Sequence, residues 1–207
     1  MKLITSALSV LLPFLIASSA SALTSAEKKT ATDLKDAVTG ETTASAKYAA
    51  YASKAREEGQ AKVAVLFDAA SKAEAIHAGN HRVSLQELGE QMGEIKPSFK
   101  VASTQKNLED AIKGESYEAA TMYPKFIKDA AASNSAGATR SFEGAFKTEQ
   151  KHKALYEKAL AALKAKKADE LPSKYFVCGT CGDTYDSQAP AKCGICGAAK
   201  ESFVVVE

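Results

Sequence analysis

Along four stretches of this chain apolar residues recur at steps of three and four, the spacing of one helix face. The first stripe runs Leu34, Ala37, Val38, Glu41, Ala44, Tyr48, Tyr51, Ala52 and Ala55, and the second runs Val63, Leu66, Phe67, Ala70, Ala73, Glu74, His77, His81, Leu85 and Leu88. A third carries Leu108, Ala111, Ile112, Glu115, Glu118, Ala119, Met122, Phe126 and Ala130, and a fourth carries Phe142, Ala145, Phe146, Glu149, His152, Tyr156, Ala159, Leu160 and Leu163. Gly59, in "EEGQ", can take the left-handed conformation that ends a helix, so the second helix is expected to return antiparallel beside the first. "GEQMGEIKPSFKVAS", from Gly89 to Ser103, has two glycines, a proline and no clean period, which predicts a long crossover. The fold expected is mainly α: a four-helix bundle with its crossover between helices 2 and 3.

The acidic residues inside these stripes form an internal repeat. Glu41 is followed 33 residues later by Glu74 with His77, and Glu115 is followed 34 residues later by Glu149 with His152. Phe67 and Phe142 each stand seven residues before the glutamate of a Glu-x-x-His pair. Positions i and i+3 lie roughly 60° apart around a helix and about 4.5 Å apart along it, so one pair can reach one metal. With Glu118, five carboxylates would enter one bundle, no lysine or arginine falls on the stripes near them, and each buried unpaired ion costs several kcal/mol. Two divalent cations nearly balance that charge, and the histidines add neutral ligands. One glutamate from each of two helices and Glu-x-x-His from each of the others is the pattern of ferritin-like di-iron carboxylate bundles. His81, one turn beyond His77, is read as a bundle-end residue, the alternatives being a further ligand or a hydrogen-bond donor that supports the ligands. Tyr48, Tyr51 and Tyr123 are read as packing residues whose hydroxyls can orient carboxylates.

Composition changes this picture little. The chain has 207 residues, 25% charged and 45% hydrophobic, with a formal net charge of +2. Lysines and acidic residues alternate instead of gathering into a basic stripe, which argues against nucleic acid as a ligand. The first 22 residues differ: Lys2 is their one charge, an apolar run spans Leu8 to Ile16, and Ala20-Ser21-Ala22 fits a small-residue cleavage pattern. That run falls short of the roughly 20 residues needed to span a bilayer. The expectation is a signal peptide over residues 1–22, cleaved near Ala22, an exported protein that is periplasmic or secreted, and no membrane span in the mature chain.

After the bundle (23–168) and a linker (169–174) comes a small unit over 175–207. Cys178-x2-Cys181 and Cys193-x2-Cys196 form two knuckles able to offer four thiolates to a tetrahedral metal. A unit this small cannot bury a real core, so metal is expected to hold it together. Thiolates alone leave iron and zinc open.

With these motifs placed, the chain resembles the rubrerythrins, a ferritin-like di-iron domain followed by a rubredoxin-like domain. The resemblance lies in "GETTASAKY" around Glu41, "FDAASKAEAIHAGNH" around Glu74 and His77, "GESYEAATMYPKF" around Glu115 and Glu118, "TEQKH" around Glu149 and His152, and the knuckles. It implies that Glu74 and Glu149 bridge two irons, with Glu41, Glu115 and His152 as terminal ligands, while Glu118 and His77 alternate on one iron. It implies a small metal-binding β domain with one iron on Cys178, Cys181, Cys193 and Cys196, zinc being the alternative. The activity implied is a di-iron peroxidase using hydrogen peroxide and an external electron donor that the sequence does not name, in a head-to-tail homodimer. Alternatives are a ferroxidase and a non-catalytic metal-binding protein with a structural zinc ribbon. Where the family's knuckles often carry proline, this chain has Gly179 and Gly194.

Overall fold

The computed structural model describes residues 22–207; apart from Ala22, the segment expected to direct export lies outside the described residues. Helix α1 (Ser25–Glu57) starts at a capping box, where the Thr24 hydroxyl accepts from the Glu27 N–H at 3.2 Å and the Glu27 carboxylate accepts from the Thr24 N–H at 2.8 Å. It ends where Gly59 turns left-handed, at φ 74°, and α2 (Ala61–Glu87) returns beside it. The crossover is coil but is pinned at both ends. Tyr51 donates to the Lys100 carbonyl at 3.2 Å, and the Asn107 amide bonds both backbone groups of Ala102.

The third stripe is broken. Helix α3 (Thr104–Tyr117) passes into a π-helical turn at Glu118–Met122 and then into α4 (Tyr123–Ala132). The Tyr123 N–H bonds the Glu118 carbonyl five residues back. Pro124 lacks the N–H an α-helix needs and its ring would crowd the carbonyl four residues back, so a wider turn relieves both conflicts. The turn adds one residue to the helix. Tyr123 is therefore fully buried while Met122, the residue on the regular period, is only partly so. Helix α5 (Ala136–Lys164) completes the bundle.

The C-terminal unit is an antiparallel sheet ordered β2-β1-β3, from β1 (Tyr175–Cys178), β2 (Thr184–Tyr185) and β3 (Phe203–Val206). It does not hang free on its linker. Leu171, Tyr175 and Val177 join one hydrophobic core with Leu66, Phe67 and Tyr156 of the helices. Polar contacts add to that seat: Asn80 donates to the Thr180 carbonyl at 2.9 Å, and Lys151 and Lys158 pair with Asp183 and Asp186. No helix among the described residues is long and apolar enough to cross a membrane.

Candidate metal centres

Four elements deliver the acidic side chains to one place between two aromatic clusters. Tyr48, Tyr51, Phe67 and Tyr156 pack on one side of it, and Tyr123, Phe126 and Phe142 on the other. Glu41, Glu74, His77, Glu115, Glu149 and His152 are each at most 1% exposed. Their ligand atoms fall into two groups, Glu41, Glu74, His77 and Glu149, and Glu74, Glu115, Glu149 and His152, each with its atoms within 4.8 Å of one another. Glu74 and Glu149 belong to both. Glu149 sets Oε1 2.9 Å from His77 Nδ1 and Oε2 3.1 Å from His152 Nδ1, and Glu74 spans the same two nitrogens at 2.8 and 3.1 Å. Glu118, at the first position of the π turn, is only partly buried and belongs to neither group.

These carboxylates fit a pair of cations and little else. Among the described residues, buried Glu41 Oε2 and Glu115 Oε2 have no hydrogen-bond partner, an arrangement too costly to keep for packing alone. Their other oxygens accept from tyrosines: Tyr48 donates to Glu115 Oε1 at 2.7 Å and Tyr123 donates to Glu41 Oε1. The tyrosines obey the repeat. Tyr48 stands seven residues after Glu41 and Tyr123 eight after Glu115, the extra residue being the one the π turn absorbs.

Without metal the site is electrostatically loaded. Burial, then Glu118, Glu74 and Glu149, push the Glu41 carboxyl well up, and burial with Glu74 and Glu149 does the same to Glu115. Burial and the same two neighbours raise Glu118 to about 8. For Glu74 burial pulls upward, but His152 and His77 outweigh it and hold the group at about 2. Burial works against charge on the histidines too, yet the glutamates raise His77 well above its ordinary value and His152 to about 9.

A pH dependence follows for the metal-free chain. Raised carboxyls favour the folded state while protonated, a contribution lost as pH climbs above 4.5, through about 8 for Glu118. Raised histidines contribute below 6.5 and lose that contribution through about 9 for His152. Glu74 has the opposite sign, contributing above 4.5 and fading as pH falls toward about 2. Chelated protein should therefore melt highest in mildly acidic buffer, and its Tm should fall steadily from about pH 6 to 9, while metal-loaded protein should not share that fall. Calorimetry across pH, with and without chelator, checks this.

The second centre lies at the edge of the sheet. Cys178 and Cys196 sulfurs are 3.7 Å apart and Cys181 and Cys193 sulfurs 3.6 Å apart, with all four in one group. A tetrahedral ion about 2.3 Å from each sulfur would set them roughly 3.8 Å apart, so the thiols fit one metal and not disulfides. Gly179 has a local reason. Its N–H donates to the Ser202 carbonyl at 2.9 Å, a bond that proline could not make.

The two centres touch. His77 Nε2 lies 3.1 Å from the Cys181 carbonyl, and His152 Nε2 lies 3.0 Å from Thr184 Oγ1. Each histidine thus turns Nδ1 to the carboxylates and Nε2 to the cysteine unit, an outer bond that fixes ring orientation at metal sites. The sequence offered no signal for Thr184, Asp183 or Lys151 as interface residues, because periodicity says nothing about which loop lands on a helix.

A family profile described as Rubrerythrin matches residues 33–160, the stretch holding every bundle carboxylate and histidine above. This chain belongs to the rubrerythrin family. It is 35% identical over 174 residues to nigerythrin of Nitratidesulfovibrio vulgaris Hildenborough, covering 83% of each chain. To Rubrerythrin-2 of Clostridium acetobutylicum it is 30% identical over 175 residues, covering 84% of this chain and 95% of the relative. In three dimensions it matches the fully reduced, all-ferrous state of nigerythrin at a TM-score of 0.77, with 32% identity over 92% of this chain and 91% of the other. Rubrerythrin architecture here is a helical bundle with a carboxylate and histidine di-metal site, followed by a three-stranded sheet with a four-cysteine site.

Proposed function

We propose that this chain reduces hydrogen peroxide to water at two irons in the bundle, with electrons returned singly through a third iron on Cys178, Cys181, Cys193 and Cys196. The observation that carries this reading is the join between centres, where the Cys181 carbonyl accepts from His77 Nε2. A storage or ferroxidase site has no need of a cysteine unit bonded to its own histidine. Iron is assigned because the relative above is described in an all-ferrous state, and because carboxylates with imidazole suit that metal. When bound, the bundle irons supply two one-electron couples in one cavity, which matches the two electrons that O–O cleavage consumes.

The chain's own residues do the rest. Glu74 and Glu149 belong to both donor groups and would help hold a metal in each. Glu41 and Glu115 close the two ends, each held by a tyrosine hydroxyl. The flanking aromatic clusters keep water out and strengthen every interaction inside. His77 stands within the donor group and Glu118 outside it; in the alternation expected for this family, Glu118 takes the position His77 leaves. The cysteine unit needs no second chain to reach His77, and a head-to-tail homodimer that exchanged these units would reuse the same contacts. The pattern of residues 1–22 supports export, and with it a role against peroxide outside the cytoplasm.

Cys178→Ser tests the electron path. Single-turnover oxidation of the chemically reduced bundle by peroxide should survive, while steady turnover from an external reductant should stop, as followed by stopped-flow absorbance. Unchanged steady turnover overturns the path. Purified protein should also be red from a ferric tetrathiolate; a colourless cysteine site overturns the assignment of iron there.

A further inference from the structure

The repeat that builds the metal site changes residue type four positions after each histidine. In the second half this is Tyr156, a buried residue whose hydroxyl has no hydrogen-bond partner among the described residues. In the first half it is His81, also fully buried but bonded through both ring nitrogens. Ser141 Oγ lies 2.7 Å from His81 Nδ1, His81 Nε2 lies 3.0 Å from the Tyr123 hydroxyl, and that hydroxyl donates to Glu41 Oε1. The Tyr123 hydroxyl spends its proton on Glu41, which would be ionised when it holds a metal and could then only accept, so each proton has one consistent place. Tyr123 donates to Glu41, His81 Nε2–H donates to Tyr123, and Ser141 donates to His81 Nδ1. Every donor points inward. Burial, with some help from His77, pulls His81 down to about 3, so the ring is neutral in ordinary buffers, as this pattern requires.

The outer end of the chain opens on water. Ser141 is partly buried and lines a cleft of about 280 Å³ between the bundle and the cysteine unit, shared with Asn80, Ser84, Arg140, Thr180 and Cys196. Cys196 is the exposed cysteine of the four. The cleft thus reaches the cysteine centre on one wall and the first link of a bonded chain to Glu41 on the other.

We propose that Ser141, His81 and Tyr123 form a proton path from this cleft to Glu41. The inference rests on the reading of the site as a peroxide reductase, whose balance is one H2O2, two electrons and two protons to two waters. Electrons arrive through the cysteine unit from a one-electron donor, and each needs a proton to follow it into a dry cavity where uncompensated charge is costly. A proton entering at Ser141 passes to His81 Nδ1 as Nε2–H passes to Tyr123 and the tyrosine proton passes toward Glu41. Ring and hydroxyl rotation then restores the starting arrangement, so no member ends charged. In the other half the Tyr156 hydroxyl has no partner among the described residues and continues no such chain.

Two measurements test the path. In full-length, zinc-loaded, diamagnetic protein, 15N NMR of the histidine rings should place the single His81 proton on Nε2 from about pH 5 to 8, with slow solvent exchange. A proton on Nδ1 overturns the proposal. In iron-loaded protein reduced by methyl viologen radical, which gives one electron and no proton, proton uptake followed with an indicator dye in stopped flow should slow at least about tenfold in His81→Leu, the lower edge of what positioned acid–base groups contribute. Ser141→Ala, at the rim of the cleft, should slow it in the same direction, and Tyr156→Phe should leave it alone. Unchanged uptake in both His81→Leu and Ser141→Ala overturns the path. Viologen reduction involves no peroxide, so a chain that showed these effects yet failed to consume peroxide would discredit the activity and not the relay.

Discussion

Glu149→Ala is expected to empty both bundle metal positions while the cysteine site keeps its metal. One carboxylate serves two positions, with Oε1 against His77 Nδ1 and Oε2 against His152 Nδ1. Glu41 and Glu115, by contrast, each belong to one donor group. Losing an outer bond to a metal-bound histidine already costs 10- to 100-fold in affinity by rough estimate, and Glu149 supplies a ligand atom to each half. Its loss should therefore lower both affinities by more than that, whereas Glu41→Ala should empty one position and weaken the other. The helix itself should stand, because alanine is the best helix former and the metal-free variant has one less buried acid. Elemental analysis after anaerobic loading, with circular dichroism as a control for folding, checks both variants. Full occupancy of both positions in Glu149→Ala would show that Glu149 is not shared, and the two-metal reading would fail with it.

The helical bundle could be read from the chain because apolar burial imposes a period, and carboxylates that interrupt a stripe must be neutralised by something. Both follow through to the fold class and the family. In the third stripe the regular period slips at one place, the π turn, and meets the interior again at Phe126 and Ala130. The regular period placed Met122 inward, yet the π turn buries Tyr123 and sends its hydroxyl to Glu41. Pro124 was the available sign, since a proline two turns into an acidic stripe demands an irregular backbone. His81 was ambiguous for another reason. Its position allowed a bundle end or a donor supporting the ligands; the second is what the structure has, with both ring nitrogens bonded in the interior, and its partner Ser141 lies 60 residues away on α5 with nothing in the local sequence to join them. The seat of the cysteine unit was equally illegible. Lys151 and Asp183 look like ordinary surface charges until two elements meet, and Asp183 is in fact fully buried.

Gly182→Ala is expected to unseat the cysteine unit from the bundle while leaving its metal in place. Gly182 follows Cys181 with φ at 82°, a conformation that costs an L residue about 1–2 kcal/mol. A Cβ there would also lie 2.5 Å from His77 Nε2 and 3.1 Å from the Ala73 carbonyl. The first effect is strain within the knuckle and the second a collision with α2, so relief comes most easily by moving the unit off the helix. The move would break the His77 bond to the Cys181 carbonyl and pull Thr184 from His152. The strain stays with the knuckle whether the unit is docked or free, so the docking equilibrium answers to the collision, an overpacking of about 1–3 kcal/mol that converts to roughly 5- to 150-fold. Cysteine-site absorbance should therefore be retained, peroxide oxidation of the reduced bundle should proceed, and re-reduction of the bundle through the cysteine iron should slow by at least about fivefold, the lower edge of the collision's effect. A matched Gly197→Ala variant separates the two causes. Gly197 has φ 75° at the equivalent place in the other knuckle, but nothing stands within 4 Å of its added Cβ. It carries the strain without the collision. Equal slowing in both variants would mean that knuckle strain, and not the contact with His77, limits electron return.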